Sequence, residues 1–304
     1  MVPALLIMGT VWGCNLLADA AGRFRYAAPG RGGGSMSDSV LSLQDVRIST
    51  EDRELVHGVS FDLPAGGVVG IVGESGSGKT LTCRSALGIL PEGLHVSGGS
   101  VTIDGSDIAG LTTRQWTALR GSTISAVFQD PASYLNPSLT VGSQIAEVLR
   151  VKAGLRRRQA RERALELLSA VHLRDPHRVY DQYAFELSGG MQQRVLIAAA
   201  ISLEPKVLIA DEATTALDVT VQAEILDLLS DLRESIGLGL VLVSHDLAVV
   251  AQLCQEVLVM RSGSVVEQGP TAQVLHDPQH EYTQLLIREH EQYGLDRFLE
   301  AVDG

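Results

Sequence analysis

Apolar residues recur along this chain in two rhythms, and their alternation sets the expected fold class. Leu41, Leu43, Val46 and Ile48 fall near every second position and predict a strand. Val59–Leu63 predicts a second strand and Val68–Val72 a third. The third is short, apolar and bounded by glycines, as expected of a parallel strand covered on both faces. The loop Gly73–Gly78 follows, then an apolar helix expected over Lys79–Leu90 and stopped by Pro91. Val101–Ile103 and Ile124–Val127 read as further strands, and residues 141–186 are mostly helical in pattern. A second helix-opening signal, Leu187-Ser188-Gly189-Gly190, leads into Met191–Leu203. Beyond it come a strand at Val207–Ala210, a helix at Val219–Ile236, a strand at Leu240–Val243 and a helix at Asp246–Cys254. Val257–Met260 and Val265–Gln268 predict a closing hairpin with Ser262-Gly263 at its turn. Strands alternating with helices imply an α/β protein built on a mainly parallel sheet.

Composition narrows the picture. The 304 residues suffice for one large domain or two small ones, and 45% hydrophobic with 20% charged residues is ordinary for such a protein. A net charge of −12 argues against affinity for nucleic-acid backbones. The three cysteines, Cys14, Cys83 and Cys254, are too far apart for a CxxC metal pair or a disulfide framework, which points to a reducing compartment. Residues 1–35 read as a separate tail. Met1–Ala18 is uncharged and largely apolar, lacks the basic start of a secretory signal, and is slightly short for a membrane span. Trp12 makes Cys14 a poor lipidation site, a glycine-rich stretch follows at Gly30–Ser35, and Met36 is the more natural start. The basic cluster Arg156, Arg157, Arg158, Arg161 and Arg163 is expected to be a solvated helix face.

Two segments carry chemistry. Gly73-Glu74-Ser75-Gly76-Ser77-Gly78-Lys79-Thr80 matches the phosphate-binding loop, with the strand before and the helix after that the pattern requires. Glycines let successive N–H groups turn toward phosphate oxygens, and the helix start adds partial positive charge there. Lys79 is then expected on the β- and γ-phosphates, with Thr80 a ligand to Mg²⁺. Val207-Leu208-Ile209-Ala210-Asp211-Glu212 buries a strand and delivers two acids at its carboxyl end. Asp211 is expected to orient Mg²⁺ through its water shell, and Glu212 to act as general base on the attacking water. Gln129, after the strand Ile124–Val127, is placed to contact Mg²⁺ or water. His245, after Leu240–Val243, is placed to contact the γ-phosphate.

Gly73–Thr80, Gln129, Leu187–Arg194, Asp211-Glu212, Ala216-Leu217-Asp218 and His245 together resemble, in order, the Walker A, Q-loop, signature, Walker B, D-loop and H-loop of ABC-transporter ATPases. The resemblance spans about residues 40–290. Kinases and GTPases with the same phosphate loop lack the signature. The resemblance implies a RecA-like P-loop core, an antiparallel β subdomain and an α-helical subdomain at about residues 135–190, within a domain of residues 36–290 and ahead of a tail at 291–304. It also implies two such domains packed head to tail, with Ser188, Gly189, Gly190 and Gln192 of one meeting the γ-phosphate held by Lys79 of the other, and Asp218 in the D-loop. A Ser cap followed by two glycines at a helix start is chemically suited to an anion.

Within the family the chain looks most like the dipeptide, oligopeptide and nickel importer ATPases. Gln129-Asp130-Pro131, Leu135-Asn136-Pro137, Thr214 to Gln222 and Pro278-x-His280-x-Tyr282-Thr283 carry that likeness, and Leu55–Ser60 is similar to the nickel branch. Asn15-Leu16-Leu17-Ala18-Asp19 resembles the end of a permease of such systems, as a fusion remnant or upstream start would. The resemblance implies ATP and Mg²⁺, permease subunits, a second ATPase subunit (identical or paralogous), a solute-binding protein reached through the permease, and a position at the cytoplasmic face of the membrane. The expected solute is a peptide, with nickel the alternative and a soluble non-transport ABC ATPase the reading from another class. Three departures stand out. The adenine-stacking aromatic of the family falls on Arg53, whose guanidinium plane can stack instead. Ala213 replaces the usual Pro. No cysteine follows Cys254, so no iron–sulfur cluster is expected.

Overall fold

A computed structural model describes residues 39–214 and 217–291. The expected N-terminal tail with its Cys14, Thr215, Ala216 of the D-loop match, and the C-terminal tail from residue 292 lie outside the described residues. In chain order the strands are β1 Ser39–Ser49, β2 Glu54–Pro64, β3 Val68–Val72, β4 His95–Ile103, β5 Ser106–Asp107, β6 Ile124–Phe128, β7 Val207–Asp211, β8 Gly239–Ser244, β9 Glu256–Arg261 and β10 Ser264–Pro270. The helices are α1 Lys79–Leu87, α2 Thr113–Leu119, α3 Val141–Lys152, α4 Arg157–Ala170, α5 Pro176–Tyr180, α6 Gly189–Ala200, α7 Val219–Ile236, α8 Leu247–Leu253, α9 Thr271–His276 and α10 Glu281–Glu291. The described chain forms two compact units, one within residues 112–236 and the other from residues 39–111 with 237–291.

The discontinuous unit contains two sheets. An antiparallel sheet runs in the order β2-β1-β4-β5, with Leu43 opposite Phe61 across β1 and β2 and opposite Val101 across β1 and β4. These apolar residues all face the interior, as Leu41, Leu43, Val46 and Ile48 do at near-alternate positions. The second sheet sets β3 between β8 and β9, parallel to both, with β10 antiparallel to β9. Every residue of β3 and of β8 is buried, which is why both read as unbroken apolar runs rather than alternating ones. Gly70 in β3 has a packing reason: a Cβ there would lie 2.6 Å from Val250 and 3.0 Å from Cys254 on the helix side.

Two helices end earlier than the apolar pattern suggests. α1 stops at Leu87, not Leu90, because Gly88 takes a left-handed conformation (φ 63°) and turns its N–H back to the carbonyls of Arg84 and Ser85. Pro91 therefore lies beyond the stop instead of causing it. α6 ends at Ala200, short of Leu203, with Glu204 in the left-handed region just beyond (φ 53°).

The continuous unit pairs β6 and β7 in parallel, all ten of their residues buried. The helices α3 to α5 fill the predicted helical region. α4 buries Ala160, Ala164, Leu167 and Leu168, a stripe at spacings of three to four. Its arginines point outward, as expected: Arg158 pairs with Glu162, Arg161 with Asp181, and Arg163 with Glu166 and Glu204. α7 buries Ile225, Leu226, Leu228, Leu229 and Leu232 by the same geometry.

Candidate functional site

The phosphate loop lies in the discontinuous unit, between β3 and α1. Its glycines are there for steric reasons that the structure makes explicit. Gly73 has φ 148°, and a Cβ on it would lie 2.1 Å from the Met260 carbonyl oxygen. Gly76 (φ 81°) and Gly78 (φ 103°) hold the left-handed turns that bend the loop around its own N–H groups. Lys79, only 4% exposed, donates its ammonium to the carbonyls of Gly73 at 2.6 Å and Glu74 at 2.9 Å. Among the described residues the Ser77 hydroxyl is buried without a hydrogen-bond partner, packed on the side of the loop that faces Gly73. The hairpin turn locks the loop from outside: Gly263 donates to the Ser77 carbonyl at 3.0 Å and accepts from His57 at 2.8 Å.

The same unit brings His245 to this loop's end of the sheet. β3 and β8 are parallel neighbours with Val72 opposite Ser244, so Gly73 and His245 both follow the carboxyl ends of adjacent strands. Asp246 next to it caps α8, accepting from the Ala248 N–H at 2.8 Å. Arg53, expected in place of the adenine-stacking aromatic, is exposed in the turn between β1 and β2, where its N–H donates to the Thr50 hydroxyl at 3.1 Å.

The continuous unit repeats this logic with acids. β6 and β7 are parallel neighbours with Phe128 opposite Asp211, so Gln129 and Glu212 emerge side by side at the strand ends. Asp211 is 5% exposed. Glu212 has φ 52°, a left-handed backbone that costs a non-glycine residue about 1–2 kcal/mol. Asp130, immediately after Gln129, is left-handed too (φ 63°). The same left-handed backbone occurs in turns and bends at Asp104, Asp175 and Ser262, so it is the strand-end position, not the strain, that sets Gln129 and Glu212 beside each other.

Ser188 heads α6 as its N-cap and accepts from the Met191 N–H at 3.4 Å. A Cβ on Gly190 would come within 2.5 Å of Val221, so the helix start can approach α7 only as glycine. Asp218 caps that neighbouring helix, accepting from the Val221 N–H at 3.0 Å. The Gln192 amide turns back to donate to the carbonyls of Ala184 at 2.7 Å and Leu187 at 3.2 Å, which braces the segment preceding Ser188. Arg194 is buried and donates to the Val171 carbonyl at 3.0 Å and the Glu224 carboxylate at 2.8 Å. It anchors α6 through partners 23 and 30 residues away, which no local pattern discloses.

A strand, a glycine loop and a lysine-threonine helix start, with paired acids ending another buried parallel strand, define a phosphate-loop nucleoside triphosphatase. The profile of the family described as ABC transporter matches residues 56–215. The chain is 42% identical over 275 residues to the probable D,D-dipeptide transport ATP-binding protein DdpD of Escherichia coli (strain K12), covering 88% of this chain and 84% of that protein. It is 40% identical over 254 residues to the dipeptide transport ATP-binding protein DppD of Haemophilus influenzae, covering 82% and 77%. Among solved structures, cbiO1 from Clostridium perfringens, part of the ABC transporter complex cbiONQ, is similar with a TM-score of 0.70 at 27% identity, over 88% of this chain and 100% of that one. The dimeric ATP-binding cassette MJ0796, bound to ADP and phosphate in a post-hydrolysis state, is similar with a TM-score of 0.66 at 30% identity, over 76% and 98%. This chain belongs to the ABC transporter family, and its fold is that of an ABC-type ATPase.

Proposed function

We propose that this chain is the ATP-hydrolysing subunit of an importer for dipeptides or oligopeptides, acting as one of two ATPase subunits beneath a membrane permease. One observation carries the reading. The chain presents two helix starts suited to anions, one headed by Lys79 behind a glycine loop and one capped by Ser188 ahead of two glycines. A self-contained phosphate-loop enzyme needs only the first. The second fits an ATPase whose site is completed by another copy or a paralogue. The transport names of relatives at 40–42% identity supply the solute class. Among the described residues no helix is long and apolar enough to cross a membrane, which fits a subunit held at the cytoplasmic face by its permease. The solute-binding protein is reached through that permease.

In this reading Gly73, Glu74, Ser75, Gly76, Ser77, Gly78, Lys79 and Thr80 cradle the phosphates of ATP. The oxygen donors of Thr80, Gln129 and Asp211 suit Mg²⁺, a hard cation that binds through oxygen and water, and these residues would hold it where it would offset phosphate charge. Glu212 accepts the proton of the attacking water, and His245 steadies the γ-phosphate. Ser188, Gly189 and Gly190 from the opposite subunit close over that phosphate, with Gln192 bracing their approach and Asp218 lying at the same junction. Closure drives the permease, and hydrolysis releases it.

The test is reconstitution. Proteoliposomes holding the neighbouring permease subunits, the solute-binding protein and this chain should accumulate labelled dipeptide only with ATP, and Glu212→Gln should abolish the accumulation. Uptake of nickel in place of dipeptide would assign the other solute, and ATP turnover indifferent to any permease would overturn the transport reading.

A further inference from the structure

The segment Pro278–Thr283 stands out in the sequence but has no part in the chemistry above. In the structure it holds the phosphate loop. Tyr282, 1% exposed, accepts a hydrogen bond through its hydroxyl from the Glu74 backbone N–H at 3.1 Å, across 208 residues of sequence. The Glu74 carbonyl accepts the Lys79 ammonium at 2.9 Å. Both backbone dipoles of this one loop residue are therefore committed, one to the C-terminal helix and one to the lysine that meets phosphate.

The tyrosine is itself built in. The Arg261 guanidinium lies 4.7 Å from the centroid of its ring. Its own N–H donates to His280 Nδ1 at 3.1 Å. Ahead of it, the Glu267 carboxylate in β10 accepts from the Gln279 N–H at 2.8 Å and the His280 N–H at 3.0 Å. This fixes the start of α10 by satisfying N–H groups that have no partner within the helix. Thr283, fully buried, follows immediately.

We infer that Tyr282 is a positioning residue for nucleotide binding: Glu267 sets the start of α10, and through it the Tyr282 hydroxyl holds the Glu74 peptide so that the loop meets phosphate with its geometry already formed. A pre-formed loop spends less binding energy on ordering itself, so losing the tether weakens nucleotide affinity. The inference rests on ATP binding at Gly73–Thr80, and the test separates the two.

Tyr282→Phe removes the hydroxyl and keeps the ring under Arg261. ATP affinity, read by equilibrium binding to the full chain, should fall roughly 5-fold as the loop order supplied by the hydroxyl is lost, and the melting temperature of the nucleotide-free protein should drop only by the few degrees that one neutral hydrogen bond is worth. Glu267→Ala should weaken ATP binding in the wild-type background and add little in the Tyr282→Phe background, because it acts through the same hydroxyl. Should Glu267→Ala fold poorly, Glu267→Gln serves in the same cycle. Wild-type affinity in Tyr282→Phe, or full additivity of the two substitutions, would overturn the inference. A wild-type chain that bound no ATP would instead overturn the nucleotide site itself.

Discussion

The Lys79 ammonium donates to the Gly73 carbonyl at 2.6 Å, so the cation of the phosphate loop is oriented by the first glycine of the same loop. That glycine has no room for a side chain beside the Met260 carbonyl. Gly73→Ala should therefore cost stability, about 2 kcal/mol or more, and displace the loop. Urea unfolding reads the first effect and ATP binding the second. Lys79→Ala should abolish ATP binding with the fold intact, since it removes the charge facing the β- and γ-phosphates. Wild-type affinity in Lys79→Ala would contradict the phosphate assignment.

Glu212 combines a left-handed backbone with a place at the end of β7, next to Gln129 at the end of β6. Glu212→Gln preserves shape and hydrogen bonding but removes the base. Turnover should drop by roughly 10²-fold or more while ATP still binds and holds the paired subunits closed. Phosphate release measured beside nucleotide binding separates the two effects, and unchanged turnover would remove Glu212 from the base role.

The elements most legible in the sequence are those whose signal is local. β3 is found to the residue because glycines bound a short apolar run, and α7 because the stripe Ile225–Leu232 marks its middle and Gly237 follows its last residue. The hairpin β9–β10 follows from Ser262-Gly263. β1, β2 and β4 run longer than their apolar cores because pairing recruits polar residues such as Ser49, Glu54 and His95 at their ends. The candidate site was legible where a motif is contiguous, as at Gly73–Thr80 and Ser188–Gly190. Contacts made across the chain were not. Tyr282 meets Glu74 and Arg194 meets Glu224 through tertiary packing, and neither partner leaves a trace at the other's position.

Glu267 gives a pH dependence. Burial alone raises its pKa, but the N–H groups of Gln279 and His280, which donate to the carboxylate at 2.8 and 3.0 Å, hold it below the ordinary carboxylate value of 4.5. A depressed folded-state pKa means the stabilisation is complete above the unfolded value and is lost as pH falls through the lower folded one. Wild type should be more stable than Glu267→Gln at neutral pH, and the gap should close on acidification. Urea unfolding of both proteins over falling pH checks this, and a constant gap would show that the carboxylate contributes no such linkage.

Whether a complete ATP site needs Ser188 from a second subunit is decided by measuring ATP binding and ATP turnover side by side. Ser188 caps α6 beside Gly189 and Gly190. Ser188→Arg puts a bulky cation where the opposing γ-phosphate belongs, while Lys79 and Thr80 of the same chain are untouched. ATP binding and ATP turnover are measured together over a range of protein concentrations, with the permease present. Ser188→Arg should bind ATP nearly as wild type with hydrolysis lost, and the wild-type rate per chain should rise with concentration as subunits pair. Normal hydrolysis by Ser188→Arg, at a rate per chain independent of concentration, would contradict the two-subunit site and make the chain a self-contained phosphate-loop enzyme.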